Sequence, residues 1–361
     1  MDSTTGDNEK SAGQERRARR RGSQCVTIRD VALRAGVSSM TVSNAINGTG
    51  KMAEATRQAV LDAVAELGFA PNMAARSLAG ADTLRIGFVH STVTNGFLGA
   101  MLIGALQAAA LNGAQLLVRG VTNGDSAGLA DTIARLRDNG ARGLILSPPY
   151  AEMLDPGGIG LDAAVPVAVV AAGAAIPGMV TVRVDDRLAM RQLTTRLLEQ
   201  GHRRIGFITG PAGHTSSAAR LAGYRDALAA FGVQADESLV MPGDFRFQSA
   251  MGAARALLER AAPPTAIMAS NDDMAAAVIA VAAQIGLSVP ERLAVTGFND
   301  DAIAQTIWPT LTTVHQPVQA MAEQALARLI RRMKGQSVDD DLVLDFALME
   351  RASTSAGPAR P

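Results

Sequence analysis

The sequence predicts two kinds of fold in one chain. An N-terminal all-α head built on a helix-turn-helix precedes an α/β domain of two lobes, each a doubly wound parallel sheet. Three observations predict this. Residues 27–67 place apolar side chains at helical spacing around a glycine turn. Beyond Gly80, short β-branched strands alternate with Ala- and Leu-rich helical stretches, the rhythm of a parallel sheet covered by helices. That rhythm restarts at Ile205, which splits the α/β part in two.

In the head, Thr27 is followed three residues later by Asp30, the spacing of a capping box. Ile28, Val31 and Ala32 then fall on one helical face. Gly36 ends that helix and permits a tight turn. Ser38 is placed to cap a second helix over residues 39–46. That helix turns Val42, Ala45 and Ile46 inward and leaves Ser39, Met40, Ser43, Asn44 and Asn47 on its outer face. A third helix over 54–67 buries Val60, Val64 and Leu67. The outer face of helix two is short-chained and uncharged, which is odd for a surface that meets only water. Such a face suits close approach to base edges in a DNA major groove. A three-helix packing unit with no DNA role is the alternative.

After Gly80, strands are expected at 84–89, 114–118 and 143–146, with helices at 96–112 and 126–139. A helix over 188–199 precedes the second series, whose strands fall at 205–208, 266–269 and 293–296. Ligands of such sheets bind beyond the carboxyl ends of the strands. Ser91, Phe97, Asp185, Arg220, Phe245, Asn271 and Asn299 each follow a strand or open a helix, so the rule brings them near a cleft between the lobes. A carboxylate, a guanidinium and amides bond hydroxyl groups, and an aromatic ring packs on the apolar side of a sugar. Structural alternatives stand beside five of them: a surface ion pair for Arg220, a helix cap for Asp185, core packing for Phe245, and turn-holding for Asn271 and Asn299.

The chain has 361 residues, enough for a small domain plus one or two larger ones, and 48% of them are hydrophobic, enough for a sizeable core. One cysteine, Cys25, gives no internal disulfide framework. No apolar run is long enough to span a bilayer, and residues 1–25 hold no signal-peptide core. A cytoplasmic, nucleoid-associated protein is expected. The formal net charge of zero is unevenly spread: residues 1–80 carry 11 Lys/Arg against 8 Asp/Glu, and the remainder 23 against 26. Arg16, Arg17, Arg19, Arg20 and Arg21 form a basic cluster in a tail whose composition predicts disorder. It is either a non-specific phosphate attractor or a solubilising extension.

Seven segments occur in order between Val26 and Gly335: AGVSSMTVSNAINGTG, ELGFAPNMAARSLAG, EQGHRRIGFITGP, RLAGYRDAL, SNDDMAAAVI, VTGFNDDAIAQ and PTLTTVHQP. Together they resemble the LacI/GalR family of bacterial transcriptional regulators. After the basic tail over 1–25, whose composition predicts disorder, the resemblance implies a helix-turn-helix DNA-binding domain over 26–70 and a hinge helix over 71–82. A two-lobed, periplasmic-binding-protein-like domain for effector binding and dimerisation follows over 83–349, and a flexible tail over 350–361. It also implies three passages of the chain between lobes, with 311–349 returning to the first. DNA contacts are expected from Thr27, Ser38, Ser39, Met40, Thr41, Ser43, Asn44 and Asn47 in the head, and from Asn72, Ala75, Leu78 and Ala79 in the hinge. Two hinge turns are marginal in isolation, and the resemblance implies that they form when two subunits meet on DNA. Leu78 matches a wedge that opens a minor-groove base step at a cost of about a few kcal/mol.

For the effector, the resemblance supports Arg220 in RLAGY best, then Asp185, Phe245, Asn271 and Asn299, with Gln316 of VHQP as a further candidate. Four positions depart from the family pattern. Asn44 stands where Arg is common, and Asn pairs with adenine where Arg pairs with guanine. Ala53 replaces a capping Ser, a loss of roughly 0.5–2 kcal/mol. Ala171 stands where many relatives carry an acid, and Asn299 where Asp is common, so the pocket is less acidic than the pattern.

These readings imply a sequence-specific transcriptional regulator, a repressor, acting as a homodimer on double-stranded operator DNA. Its affinity would be set by a small sugar or oligosaccharide between the lobes, as inducer or corepressor. A sugar-binding module without DNA reading is the alternative. No cofactor, metal, membrane role or catalysis is expected. His90, His202, His214 and His315 are scattered without metal-ligand spacing, and Gly206, Gly210 and Gly213 do not make a dinucleotide fingerprint. The C-terminus lacks Leu heptads for a tetramerising coil, which favours a dimer.

Overall fold

The computed structural model describes residues 26–47, 52–69, 83–91, 95–154 and 165–354, in two compact units that divide between Asp82 and Thr83. The hinge and the contacts assigned to Asn72, Ala75, Leu78 and Ala79 lie outside the described residues, as do the basic tail and residues 355–361.

The head holds α1 (Ile28–Ala35), α2 (Ser39–Asn47) and α3 (Glu54–Leu67). The Asp30 carboxylate accepts from the Thr27 N–H at 2.8 Å and from its hydroxyl at 2.7 Å, which ties down the start of α1. Gly36 ends α1 with φ 66°, a conformation that other residues adopt at a cost. The Ser38 hydroxyl accepts from the Thr41 N–H at 3.1 Å and caps α2. Ala53 stands at the N-cap of α3 and gives it no side-chain cap. Val31, Val42 and Val60 are fully buried and pack with Ala32, Ala45 and Ala63. Val64 and Leu67, expected inside, are only half-buried against this core, because Ala63 takes the inward position.

The first lobe contains β1 (Arg85–His90), α4 (Gly96–Leu111), β2 (Gln115–Gly120), α5 (Ser126–Asp138), β3 (Ala141–Leu146), β4 (Val167–Val170) and β5 (Val180–Arg183). α11 (Val318–Met333) and β11 (Asp341–Val343) join them from far along the chain. The six strands lie in the order β11-β5-β4-β3-β1-β2, all parallel. Alternation sorts the side chains: Ile86, Phe88 and Ile145 meet α4 and α11, whereas Val89, Leu144 and Leu146 meet α5. Gly104 lets α4 and α11 cross closely, since a Cβ there would lie 2.1 Å from the Gln319 carbonyl oxygen.

The second lobe contains α6 (Asp186–Glu199), β6 (Ile205–Ile208), α7 (Thr215–Ala230), β7 (Val240–Met241), α8 (Phe247–Leu258), β8 (Ala266–Ala269), α9 (Asp272–Gln284) and β9 (Ala294–Thr296). Its sheet is parallel in the order β7-β6-β8-β9. α6 and α7 cover one face, α8 and α9 the other. After α10 (Ala302–Thr306), β10 (Thr313–His315) pairs antiparallel with β12 (Ala347–Met349).

The chain passes between lobes after β5, between β10 and α11, and between β11 and β12. The expected return of 311–349 to the first lobe is therefore too broad. Leu311, Val314 and Leu348 pack in the second lobe, because β10 and β12 bond each other there. Residues 350–354, expected to begin a tail, are docked instead. The Ser353 hydroxyl donates to the Val295 carbonyl at 2.6 Å, and the Thr354 hydroxyl bonds that of Thr312.

Candidate functional site

A cavity of about 300 Å³ opens between the lobes. Its wall is made where strands end: Ser91 follows β1, Ser147 β3, Ala171 β4, Pro211 β6, Phe245 β7, Asn271 β8 and Asn299 β9. Four of its residues stand directly before helices: Asn95 before α4, His214 before α7, Arg246 before α8 and Asn271 before α9. Carboxyl ends of parallel strands and positive ends of helices thus converge on one space. Of the expected ligand residues, Ser91, Phe97, Arg220, Phe245, Asn271 and Asn299 line it.

Arg220 is 4% exposed. Its Nε donates to Asp186 Oδ1 at 2.7 Å and its Nη1 to the Ser270 carbonyl at 2.5 Å, while the guanidinium lies 3.7 Å from the centroid of the Phe298 ring. Its partner is a buried carboxylate, not a surface one. Burial pushes the Asp186 carboxyl above its ordinary value, and the charge and hydrogen bond of Arg220 pull it back. Asp185 does not reach the cavity. Its carboxylate accepts from the Leu188 N–H at 2.9 Å and caps α6. The next residue, Asp186, is the buried acid that pairs with Arg220, and it does not line the cavity either.

Gln316 also stands outside the wall. It is buried behind Asn299, and its Nε2 donates to Asn299 Oδ1 at 2.6 Å. Asn299 in turn donates to Asp301 Oδ2 at 3.0 Å, from a backbone with φ 118°. Asn271 caps α9 by accepting from the Met274 N–H at 3.0 Å and donates to the Phe245 carbonyl at 2.9 Å. That bond holds Phe245 at φ 66°, a conformation that costs a non-glycine residue of the order of 1 kcal/mol or more. The ring stands edge-on to His214, centroids 5.3 Å apart, and presses on Gly210, where a Cβ would lie 2.2 Å from it.

His214 is the main residue that the sequence reading passed over. Burial first, and then the charge of Arg220, push its imidazole down to about 4. It is neutral at physiological pH, able to donate from one nitrogen and accept at the other. Asp244 and Arg246 flank Phe245 on the wall, and Asn95, Ser147, Pro148, Pro149, Pro211 and Ser216 complete the neighbourhood of the expected residues. The strand-end rule reaches all of these loops; looking beyond one residue per loop would have found them. Among the described residues, no group of three His, Cys, Asp or Glu side chains could hold a metal ion, and no described helix is long and apolar enough to cross a membrane.

In the head, α2 presents Ser38, Ser39 and Met40 as exposed side chains and Thr41, Ser43 and Asn44 as half-buried ones, with Met40 71% exposed. Thr27 lies exposed at the start of α1. Asn47 closes α2, and its side chain lies outside what is described.

Comparison with known proteins decides what this pairing of head and cleft belongs to. A family model described as bacterial regulatory proteins, lacI family, matches residues 27–72, and one for a periplasmic binding protein-like domain matches 194–354. The HTH-type transcriptional regulator CelR of Thermobifida fusca is 36% identical over 343 residues, which cover 91% of this chain and 98% of that protein. The chain belongs to the LacI family. The ribose operon repressor of Escherichia coli is 34% identical over 334 residues, covering 91% and 99%. Among solved structures, a CelR–cellobiose complex matches with a TM-score of 0.66 at 33% identity over 91% of this chain and 99% of that one. The lac repressor dimer bound to operator and the anti-inducer ONPF matches with a TM-score of 0.72 at 27% identity over 92% and 99%. As a LacI-family member the chain is a sequence-specific DNA-binding transcriptional regulator with a helix-turn-helix head and a two-lobed α/β domain.

Proposed function

We propose that this LacI-family regulator binds operator DNA as a homodimer and that a sugar-like effector in the interlobe cavity sets its affinity. The observation that carries the reading is the cavity itself. A buried guanidinium, three amides, a neutral imidazole and two phenyl rings converge on the cavity, a mixture suited to hydroxyl groups and the apolar side of a pyranose. The relatives support it: one solved complex holds cellobiose, another operator DNA. Asn44, Ser39 and Ser43 on α2, with Met40, are assigned to the major groove, and Thr27 and Ser38 to flanking contacts. A homodimer is supported by exposed apolar side chains on the first lobe, Ile103, Leu106 and Leu111 of α4, the last 88% exposed. The protein acts on the nucleoid in the cytoplasm and catalyses no reaction.

The test is selection of genomic DNA fragments by the purified protein, with and without a panel of mono- and disaccharides. The expected result is one roughly palindromic site whose enrichment changes with one sugar and is lost in Asn44→Ala. No enriched site with any sugar, or enrichment indifferent to all of them, overturns the reading.

A further inference from the structure

Outside the cavity wall, a hydrogen-bonded contact among the described residues ties the lobes to each other. The Thr215 hydroxyl, on the first residue of α7 in the second lobe, donates to Glu152 Oε1 at 2.8 Å and accepts from the Gly173 N–H at 2.8 Å; both partners are in the first lobe. The approach is close. A Cβ on Gly173 would lie 2.4 Å from the Thr215 carbonyl carbon and oxygen and 2.5 Å from the Ser216 nitrogen, so no other residue fits without moving the lobes apart. The other carboxylate oxygen, Glu152 Oε2, is buried with no partner among the described residues. Oε1 is the carboxylate oxygen bonded across the lobes. The contact also adjoins the cavity on both sides: His214 and Ser216 flank Thr215 on the wall, and Ala171 stands two residues before Gly173.

We propose that Thr215 is a positioning residue: clasped between Glu152 and Gly173, it holds the lobes at one separation and thereby sets how readily the cavity closes and what the head receives. The regulatory half of this rests on the function proposed above; the clasp itself does not. One hydroxyl serves as donor and acceptor at once, so a single substitution opens both bonds. Valine has the shape of threonine without the hydroxyl, and serine restores it.

The experiment is hydrogen–deuterium exchange of the Gly173 amide in the full chain, without added ligand, for the parent, Thr215→Val and Thr215→Ser. Binding of each protein to one DNA fragment selected by the parent is measured alongside. Two hydrogen bonds of ordinary net strength predict about tenfold or more faster exchange at Gly173 in Thr215→Val, with β4 still protected, the unfolding midpoint near the parent's, and Thr215→Ser within about threefold of parental exchange. DNA affinity should then shift by about threefold or more in Thr215→Val and return in Thr215→Ser. Unchanged exchange at Gly173 removes the clasp. Exchange that rises across the whole lobe makes Thr215 a residue of fold stability only and also overturns the proposal. A lost clasp with unchanged DNA affinity overturns its regulatory half. A parent that selects no DNA fails the proposed function and leaves the exchange result to decide the clasp alone.

Discussion

From the first lobe the cavity receives Ser91, Asn95, Phe97, Leu98, Ser147 and two prolines; from the second it receives His214, Arg220, Asp244 and Arg246, with Phe245, Asn271 and Asn299 among them. Among the described residues, every ionisable side chain on the wall thus belongs to the second lobe. The difference extends behind the wall. Arg220, Asn271 and Asn299 are each fixed by a bond to a buried partner, Asp186, Met274 and Gln316 respectively, whereas the first lobe offers hydroxyls, one helix cap and apolar surface. A ligand would therefore be oriented by the second lobe and enclosed by the first. Groups that are already fixed lose little freedom on binding, which is where specificity comes cheaply.

The largest expected effect breaks the second lobe's anchor. Arg220→Met leaves Asp186 buried without its partner, and removal of one member of a buried ion pair costs about 3–5 kcal/mol. Denaturant unfolding should show that loss, together with loss of any response to the effector. Arg220→Met combined with Asp186→Leu should recover much of the stability, since apolar replacements of both partners are often tolerated, and still fail to bind. Recovery of binding in the double variant would mean that the guanidinium is only a strut.

The two phenyl rings allow a like-for-like comparison across the cleft. Phe245→Ala should weaken effector binding by about 2–3 kcal/mol, the scale of one buried aromatic side chain, because it also releases the contact that places His214. Phe97→Ala, from the side that encloses, should cost about half as much. Calorimetric titration of both variants with the sugar that alters DNA selection reads the difference; a larger loss at Phe97 reverses the roles of the lobes.

Much of this comparison was legible in the sequence, and the part that was not has a physical reason. Strands at 205–208 and 266–269 match the sequence reading to the residue, since each is a short buried run set off by polar, glycine or proline residues. Six cavity residues followed from the rule that ligands lie beyond strand ends. Asp185 and Asp186 could not be separated, because a one-residue difference decides between capping a helix and entering a core, and adjacent identical residues carry no signal of which does which. Gln316 failed for another reason: its partner, Asn299, lies seventeen residues away, and their hydrogen bond exists only once β9 and β10 are side by side. The pairing of β10 with β12, which kept residues 313–315 out of the first lobe, is likewise non-local.

A pH titration sharpens the contrast, since the strongly shifted groups at the cavity's edge are again in the second lobe. Asp272, beside Asn271, is pushed up to about 8 by burial, against hydrogen bonds from the Thr313 hydroxyl and the Asp301 N–H. Between its unfolded value and about 8 the folded form holds a proton that the unfolded form has lost, so stability falls as pH rises through that window. His214, pushed down to about 4, acts oppositely but only below its unfolded value of about 6.5. From about pH 6.5 to 8 only the fall should remain, about 1–2 kcal/mol. Thermal scans across that interval should show it, and Asp272→Asn should flatten it. A parent whose stability is level from pH 6.5 to 8 means that Asp272 is ionised in the fold.

The smallest expected effects test the contrast most directly, because they compare equal chemistry on the two walls. Ser91 is half-buried at the end of β1, and Ser216 is 4% exposed on α7, between Thr215 and the buried Ser217. Each hydroxyl can give a ligand one hydrogen bond, worth about 0.5–1.5 kcal/mol. If the second lobe is the one that orients, Ser216→Ala should fall at the upper end of that range in effector affinity and Ser91→Ala at the lower, with both proteins as stable as the parent. The reason is freedom: a hydroxyl held in a packed helix loses less on binding than one at a strand's mouth. Equal losses would mean that closure fixes both walls alike, and that the charged residues of the second lobe serve its own fold rather than the ligand.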